Sequence, residues 1–242
     1  MELVYPPVIG FVKTMFRVLD LKITIEGAEH IPTAGGAVLA SNHVSYLDFI
    51  FCGLGAQPSK RLVRFMAKKS VFDHRVSGPL MRGMHHIPVD RDAGTAAFRM
   101  ATTALKEGEV VGVFPEATIS ESFTVKEMKS GAARLARTAK APLIPMVVWG
   151  PHRLWTKGHP KELTKRHVPV IIKIGAPIEI ARGTSPDATT VELRERLSGL
   201  LDSAQRAYPD KPAENERWWL PAHLGGTAPL PEQARDPVDS GL

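Results

Sequence analysis

Apolar residues change their period along this chain, and the period marks out the elements. From Val8 to Leu19, the positions Val8, Phe11, Val12, Met15, Phe16 and Leu19 recur at spacings of three and four, while Lys13 and Arg17 share another face. That pattern predicts an amphipathic helix within residues 1–20. Short β-rich runs follow: LKITIEG (21–27), GAVLAS (36–41), RLVRFMA (61–67), HHIPVD (85–90), EVVGVFP (109–115), PLIPMVVW (142–149) and VPVIIKIG (168–175). Between them, GTAAFRMATTALKEG (94–108), KSGAARLARTAKA (129–141) and TTVELRERLSGLLDSAQRAY (189–208) keep apolar residues on one helical face. Strands alternating with helices over 21–208 predict a single α/β domain, a largely parallel sheet flanked by helices. TKGHPKELTKRH (156–167) reads as a polar, basic loop. Residues 209–242, rich in proline and glycine with Trp218 and Trp219 as large anchors, read as a tail strapped across that domain.

Composition narrows the class. Of 242 residues, 43% are hydrophobic and 23% charged, which excludes a wholly disordered, collagen-like or coiled-coil chain. A single cysteine, Cys52, excludes an internal disulfide and a multi-cysteine zinc cage. Apolar runs such as APLIPMVVWG (141–150) fall short of the roughly 18–20 residues that span a bilayer. The opening MELVYPPVIG lacks a basic leader region, so an intracellular protein is expected.

Net charge is +6, and residues 210–242 hold six acidic and three basic side chains, leaving about +9 on residues 1–209. Such a surplus points to an anionic partner: nucleic acid, a membrane surface or a phosphorylated small molecule. An apolar stripe beside Lys13 and Arg17 suits a helix in a membrane interface. The same stripe also suits packing on the protein's own core.

Two segments carry candidate chemistry. GAVLAS runs into NHVSYLD, with His43 five residues before Asp48, where a strand gives way to a helix. A carboxylate reaching back to the imidazole fixes its tautomer and leaves the other nitrogen to take a proton. FPEATIS (114–120) ends another strand and places Glu116 at the sheet edge. Basic residues Arg64, Lys68, Lys69, Arg91 and Lys129 stand at element ends, and a convergence of such charges binds phosphate. The His85–His86 pair has no third ligand at a convincing spacing, so no metal is expected.

Taken in order, these segments resemble the four blocks of the lysophosphatidate acyltransferase (PlsC-like) family of glycerolipid acyltransferases. NHVSYLD (42–48) looks like the NHxxxxD block, HIPVDRD (86–92) like the second, FPEATIS like FPEGTRS and PLIP (142–145) like the fourth. MAKKSVF (66–72) and KSGAARLA (129–136) resemble the segments between. The resemblance implies a glycerol-3-phosphate acyltransferase-like fold and acyl transfer from acyl-CoA or acyl-carrier protein to a lysolipid hydroxyl, with no covalent acyl-enzyme. His43 is then the general base and Asp48 its orienting partner. Asn42, Glu116 and Thr118 stand at family positions that contact substrate, and Arg91, Lys68 and Lys129 are bases for the acceptor's phosphate. No cofactor, metal or nucleic acid is implied. The implied site of action is the cytoplasmic face of the cell membrane, with peripheral attachment, which favours the interfacial reading of residues 1–20.

One departure bears on the acceptor. The block arginine that helps to bind the acceptor's phosphate is Ile119 here, and Ala117 replaces the glycine. The leading acceptor is 1-acylglycerol 3-phosphate, giving phosphatidate; the alternative is another lysophospholipid or a glycolipid. A hydrolase is the other enzymatic reading, but no GxSxG elbow occurs. A binding module would leave Asn42, His43, Asp48 and Glu116 at their family positions without a reason.

Overall fold

The computed structural model describes residues 2–90 and 94–234. Its strands are β1 (Lys22–Glu26), β2 (Ala37–Ser41), β3 (Val63–Lys68), β4 (Ile87–Val89), β5 (Val110–Val113), β6 (Leu143–Trp149) and β7 (Pro169–Ile174). The α-helices are α1 (Tyr5–Val18), α2 (Asp48–Gly55), α3 (Lys69–Asp73), α4 (Ser77–Gly83), α5 (Gly94–Lys106), α6 (Gly131–Ala139) and α7 (Pro186–Arg206). Across the sheet the strands run β1-β7-β6-β2-β5-β3-β4. Every neighbouring pair is parallel except β6 and β7. Those two are joined by a loop holding one short 3₁₀ turn, Pro151–Arg153, with no crossover helix to return the chain in parallel.

The apolar runs of the central strands follow from burial on both faces. All five residues of β2 are buried. Val38 and Ala40 face a core shared with Ala101 and Leu105 of α5, Leu135 of α6 and Leu197 of α7. Ala37 and Leu39 face the opposite core, with Phe16 of α1 and Phe51 and Cys52 of α2. Gly112 is required where β5 meets β3, because a Cβ there would lie 2.5 Å from the Phe65 ring. β2 and β5 lie side by side with Ala40 opposite Val113, so the chain leaves both strands at one place on the sheet edge.

Helix α1 begins at Tyr5 with prolines in its first turn, three residues before the apolar period starts. It divides the stripe between two environments. Phe16 is buried and stacks on Phe51 at 4.7 Å, with Val12 and Met15 packed beside it. The Tyr5 hydroxyl donates to the Val63 carbonyl at 2.8 Å. Leu3, Phe11 and Val18 instead stand 72%, 69% and 63% exposed. The tail forms a 3₁₀ segment, Glu214–Trp219, that buries Trp219 against Tyr208, while Trp218 stacks on His159 at 3.9 Å. Both tryptophans therefore pack on the domain. No helix among the described residues is long and apolar enough to cross a membrane.

Candidate active site

The site grows from the end of β2. Asn42 is fully buried and extends the strand by side-chain mimicry: its amide donates to Val148 O at 3.1 Å and accepts from Val148 N at 2.8 Å. The strand end is thereby fixed to β6, and the next residue, His43, leaves the sheet at a set place.

Asp48 opens α2 and turns its carboxylate back over the loop. One oxygen, Oδ2, accepts from His43 Nδ1 at 3.0 Å, from Val44 N at 2.7 Å and from Ser45 N at 2.8 Å. The turn of the loop thus closes a separation that a regular helical face cannot. Burial pushes the Asp48 carboxyl up, against the pull of the imidazole and the two backbone N–H groups. Bonding through Nδ1 assigns the ring proton to that nitrogen and leaves Nε2 as the basic one. The His43 side chain is 21% exposed, and its ring stacks on Phe114 at 4.4 Å.

FPEATIS wraps the same histidine from the end of β5. Glu116 accepts from His43 N at 2.9 Å through one carboxylate oxygen and from Lys126 N at 3.0 Å through the other. Burial pushes its carboxyl up to about 7, while those two N–H groups pull the other way. Ser120 N donates to His43 O at 2.7 Å. Ala117 takes the left-handed conformation, φ 61°, that the motif glycine adopts without a steric cost. Thr118 Oγ1 accepts from Lys126 Nζ at 3.0 Å.

A third wall comes from the loop after β6. Trp155 O accepts from Tyr46 N at 3.2 Å and Ser45 Oγ at 2.7 Å, and the Thr156 hydroxyl donates to Val44 O at 2.7 Å. Lys157 pairs with Glu121 at 2.5 Å. The loop on which the histidine sits is therefore tied to β6, to α2 and to the loops after β5 and β6.

A general model of the acyltransferase family matches residues 22–149. A 1-acyl-sn-glycerol-3-phosphate acyltransferase of Bacillus subtilis is 32% identical over 75% of this chain and 83% of its own length. The chain belongs to the acyltransferase family. A 1-acyl-sn-glycerol-3-phosphate acyltransferase of Limnanthes douglasii is 31% identical over 66% of the chain, which spans only 56% of that plant enzyme's length. The fold is that of a solved lysophosphatidate acyltransferase, PlsC from Thermotoga maritima, at a TM-score of 0.68 and 23% identity, over 82% of this chain and 78% of that one.

In this acyltransferase the structure brings together Asn42, His43, Asp48, Glu116 and Thr118. Lys68 ends β3 and Lys129 precedes α6, both exposed, and neither side chain forms an ion pair among the described residues. The Lys129 backbone still lies at the site, donating to Pro115 O at 3.0 Å. Arg91 lies outside the described residues. Arg64, grouped with these bases in the sequence, belongs elsewhere: it sits near the start of β3, buried, bonded to Met84 O at 2.9 Å and to Glu2 and Glu109. Lys69 pairs with Asp90 at 3.1 Å. His86 is buried and accepts from Phe65 N at 3.0 Å, with burial pushing its imidazole down to about 4. Among the described residues no group of three or more His, Cys, Asp or Glu side chains forms a metal site. Sequence reasoning missed Lys126 and the Trp155–Thr156 wall, whose only signal was the basic character of the surrounding loops.

Proposed function

We propose that this acyltransferase moves a fatty acyl group from acyl-CoA or acyl-carrier protein to the free hydroxyl of 1-acylglycerol 3-phosphate, giving phosphatidate. The observation that carries the mechanism is the 3.0 Å His43–Asp48 contact through Nδ1, on a histidine whose side chain is 21% exposed. His43 Nε2 takes the acceptor hydroxyl's proton as its oxygen attacks the thioester carbonyl. The tetrahedral intermediate collapses, the C–S bond breaks, and the imidazolium returns the proton to the departing thiolate. Asp48 holds the ring and stabilises its cationic form. Donor and acceptor supply every atom, so the step as written uses no metal or cofactor. Asn42 and Glu116 act through the backbone that carries His43, since their polar atoms bond the chain itself.

The enzyme works, in this reading, as a peripheral protein at the cytoplasmic face of the membrane, where acceptor and product reside. The exposed Leu3, Phe11 and Val18, with Lys13 and Arg17 on the neighbouring face, support that placement. A second acceptor, another lysophospholipid or a glycolipid, is favoured by Ile119 in the arginine's place, a residue only 7% exposed.

Thiol release from palmitoyl-CoA tests the reading, with lysophosphatidate, neutral lysophospholipids, glycerol 3-phosphate or no acceptor present. Release is expected with lysophosphatidate and to fall by about 1,000-fold in His43→Ala, the scale of losing a general base with its orienting partner. Full activity in that variant would remove His43 from the chemistry, and release without acceptor would make the enzyme a hydrolase.

A further inference from the structure

We propose that Lys126 supplies the acceptor-phosphate contact that the Ile119 position lacks, with Thr118 as its hydrogen-bonding partner; this rests on a phosphate-bearing acceptor, as proposed above.

Three observations place Lys126 there. Its backbone N–H and that of His43 are held by the two oxygens of one carboxylate, Glu116, at 3.0 and 2.9 Å. The Lys126 loop is thus registered to the general base by a single rigid group. Next, its side chain returns to the FPEATIS block, and Nζ sits 3.0 Å from Thr118 Oγ1, one residue before Ile119. Finally, Ile119 is turned into the protein, so the block has no cation of its own.

The chemistry of the pair suits a phosphate. Thr118 accepts from the ammonium, which leaves the threonine O–H to donate to an anion. An ammonium carries three donors and delivers its charge as a point, which matches a phosphomonoester without the fixed two-pronged fit that arginine demands.

The test is steady-state kinetics of wild type, Lys126→Met and Lys126→Arg on lysophosphatidate and on lysophosphatidylcholine, whose phosphate is a diester. Methionine keeps the backbone bond to Glu116 and much of the side-chain packing, and a thermal melt checks that the variant is folded. Lys126→Met is expected to raise KM for lysophosphatidate about 10- to 100-fold, the scale of one charged hydrogen bond, with kcat little changed. Its KM for lysophosphatidylcholine should rise several-fold less, because a diester carries less charge than a monoester, and Lys126→Arg should recover most of the loss. An unchanged KM for lysophosphatidate in Lys126→Met, with the wild type active on it, would overturn this role alone. Equal losses on both acceptors would make Lys126 structural. A wild type that acylates lysophosphatidylcholine but not lysophosphatidate would overturn the acceptor reading and the phosphate role together.

Discussion

Glu116 is a buried carboxylate whose hydrogen bonds go to the backbone of two separate loops. Its two oxygens take the backbone N–H groups of His43 and Lys126, so it sets where the general base stands relative to the loop across from it. Glutamine keeps the size but replaces one acceptor by an N–H donor, which then faces a backbone donor. Glu116→Gln is therefore expected to lower kcat about tenfold while moving KM for either substrate less than about threefold, because the base is displaced and the substrate contacts are kept. Kinetics with both substrates varied check this. A rise in lysophosphatidate KM with normal kcat would instead make Glu116 a substrate contact. His43 and Asp48 were legible in the sequence because their geometry is local, five residues closed by one loop. Lys126 was not, because its partner Thr118 is eight residues away across a loop whose path no periodicity reports.

At the scale of elements, the N-terminal segment that includes α1 divides its side chains between two environments. Tyr5 and Phe16 are buried against the domain, and Leu3 and Phe11 face outward. The two faces predict opposite phenotypes. Phe16→Ala should destabilise the fold by about 3–5 kcal/mol in urea unfolding, the usual cost of removing a buried phenylalanine. Phe11→Ser should leave stability within about 0.5 kcal/mol, as surface changes do. The same Phe11→Ser change should release the enzyme from anionic vesicles in a flotation assay. Vesicle binding unaffected by Phe11→Ser would remove this face from the interface. The strands were readable because both-sided burial makes each an apolar run. Helices α3 and α4, five and seven residues long, were not foreseen, since neither is long enough to show a helical period.

Across the whole molecule, the tail and the β6–β7 loop close one end of the core through His152. It is buried, its Nδ1 accepts from Gly150 N at 3.3 Å, and the proton on Nε2 goes to Trp219 O at 3.0 Å. Protonating Nδ1 would set two donors against each other, and burial pushes the imidazole down from its ordinary 6.5 to about 3. A folded value below the unfolded one gives a stability contribution that is complete above pH 6.5 and lost as pH falls toward 3. Glu116 acts with the opposite sign, its raised value making stability fall as pH climbs from 4.5 to about 7. The His152 effect is isolated by comparison with His152→Gln, which keeps one acceptor and one donor but does not titrate. In urea unfolding, the wild type's advantage over the variant should shrink by up to about 1.4 kcal/mol per pH unit below 6.5. A difference that stays flat from pH 7 to 4.5 would show that His152 takes up its proton equally in the folded and unfolded states, so that burial does not lower its affinity for it.

The sequence by itself determined the strand order along the chain, the longer helices, the α/β class, the ordered family blocks and the His43–Asp48 pair. Each of these is written in short-range periods or in spacings of a few residues, which local sterics and burial translate directly. Only the tertiary structure decided that β6 and β7 run antiparallel, that Arg64 locks the start of β3, that Trp219 closes the core, and that the Lys126 side chain meets Thr118. Those outcomes depend on which distant segments meet. That is fixed by packing both faces of the sheet and by satisfying buried polar groups, and no local pattern in the chain encodes it.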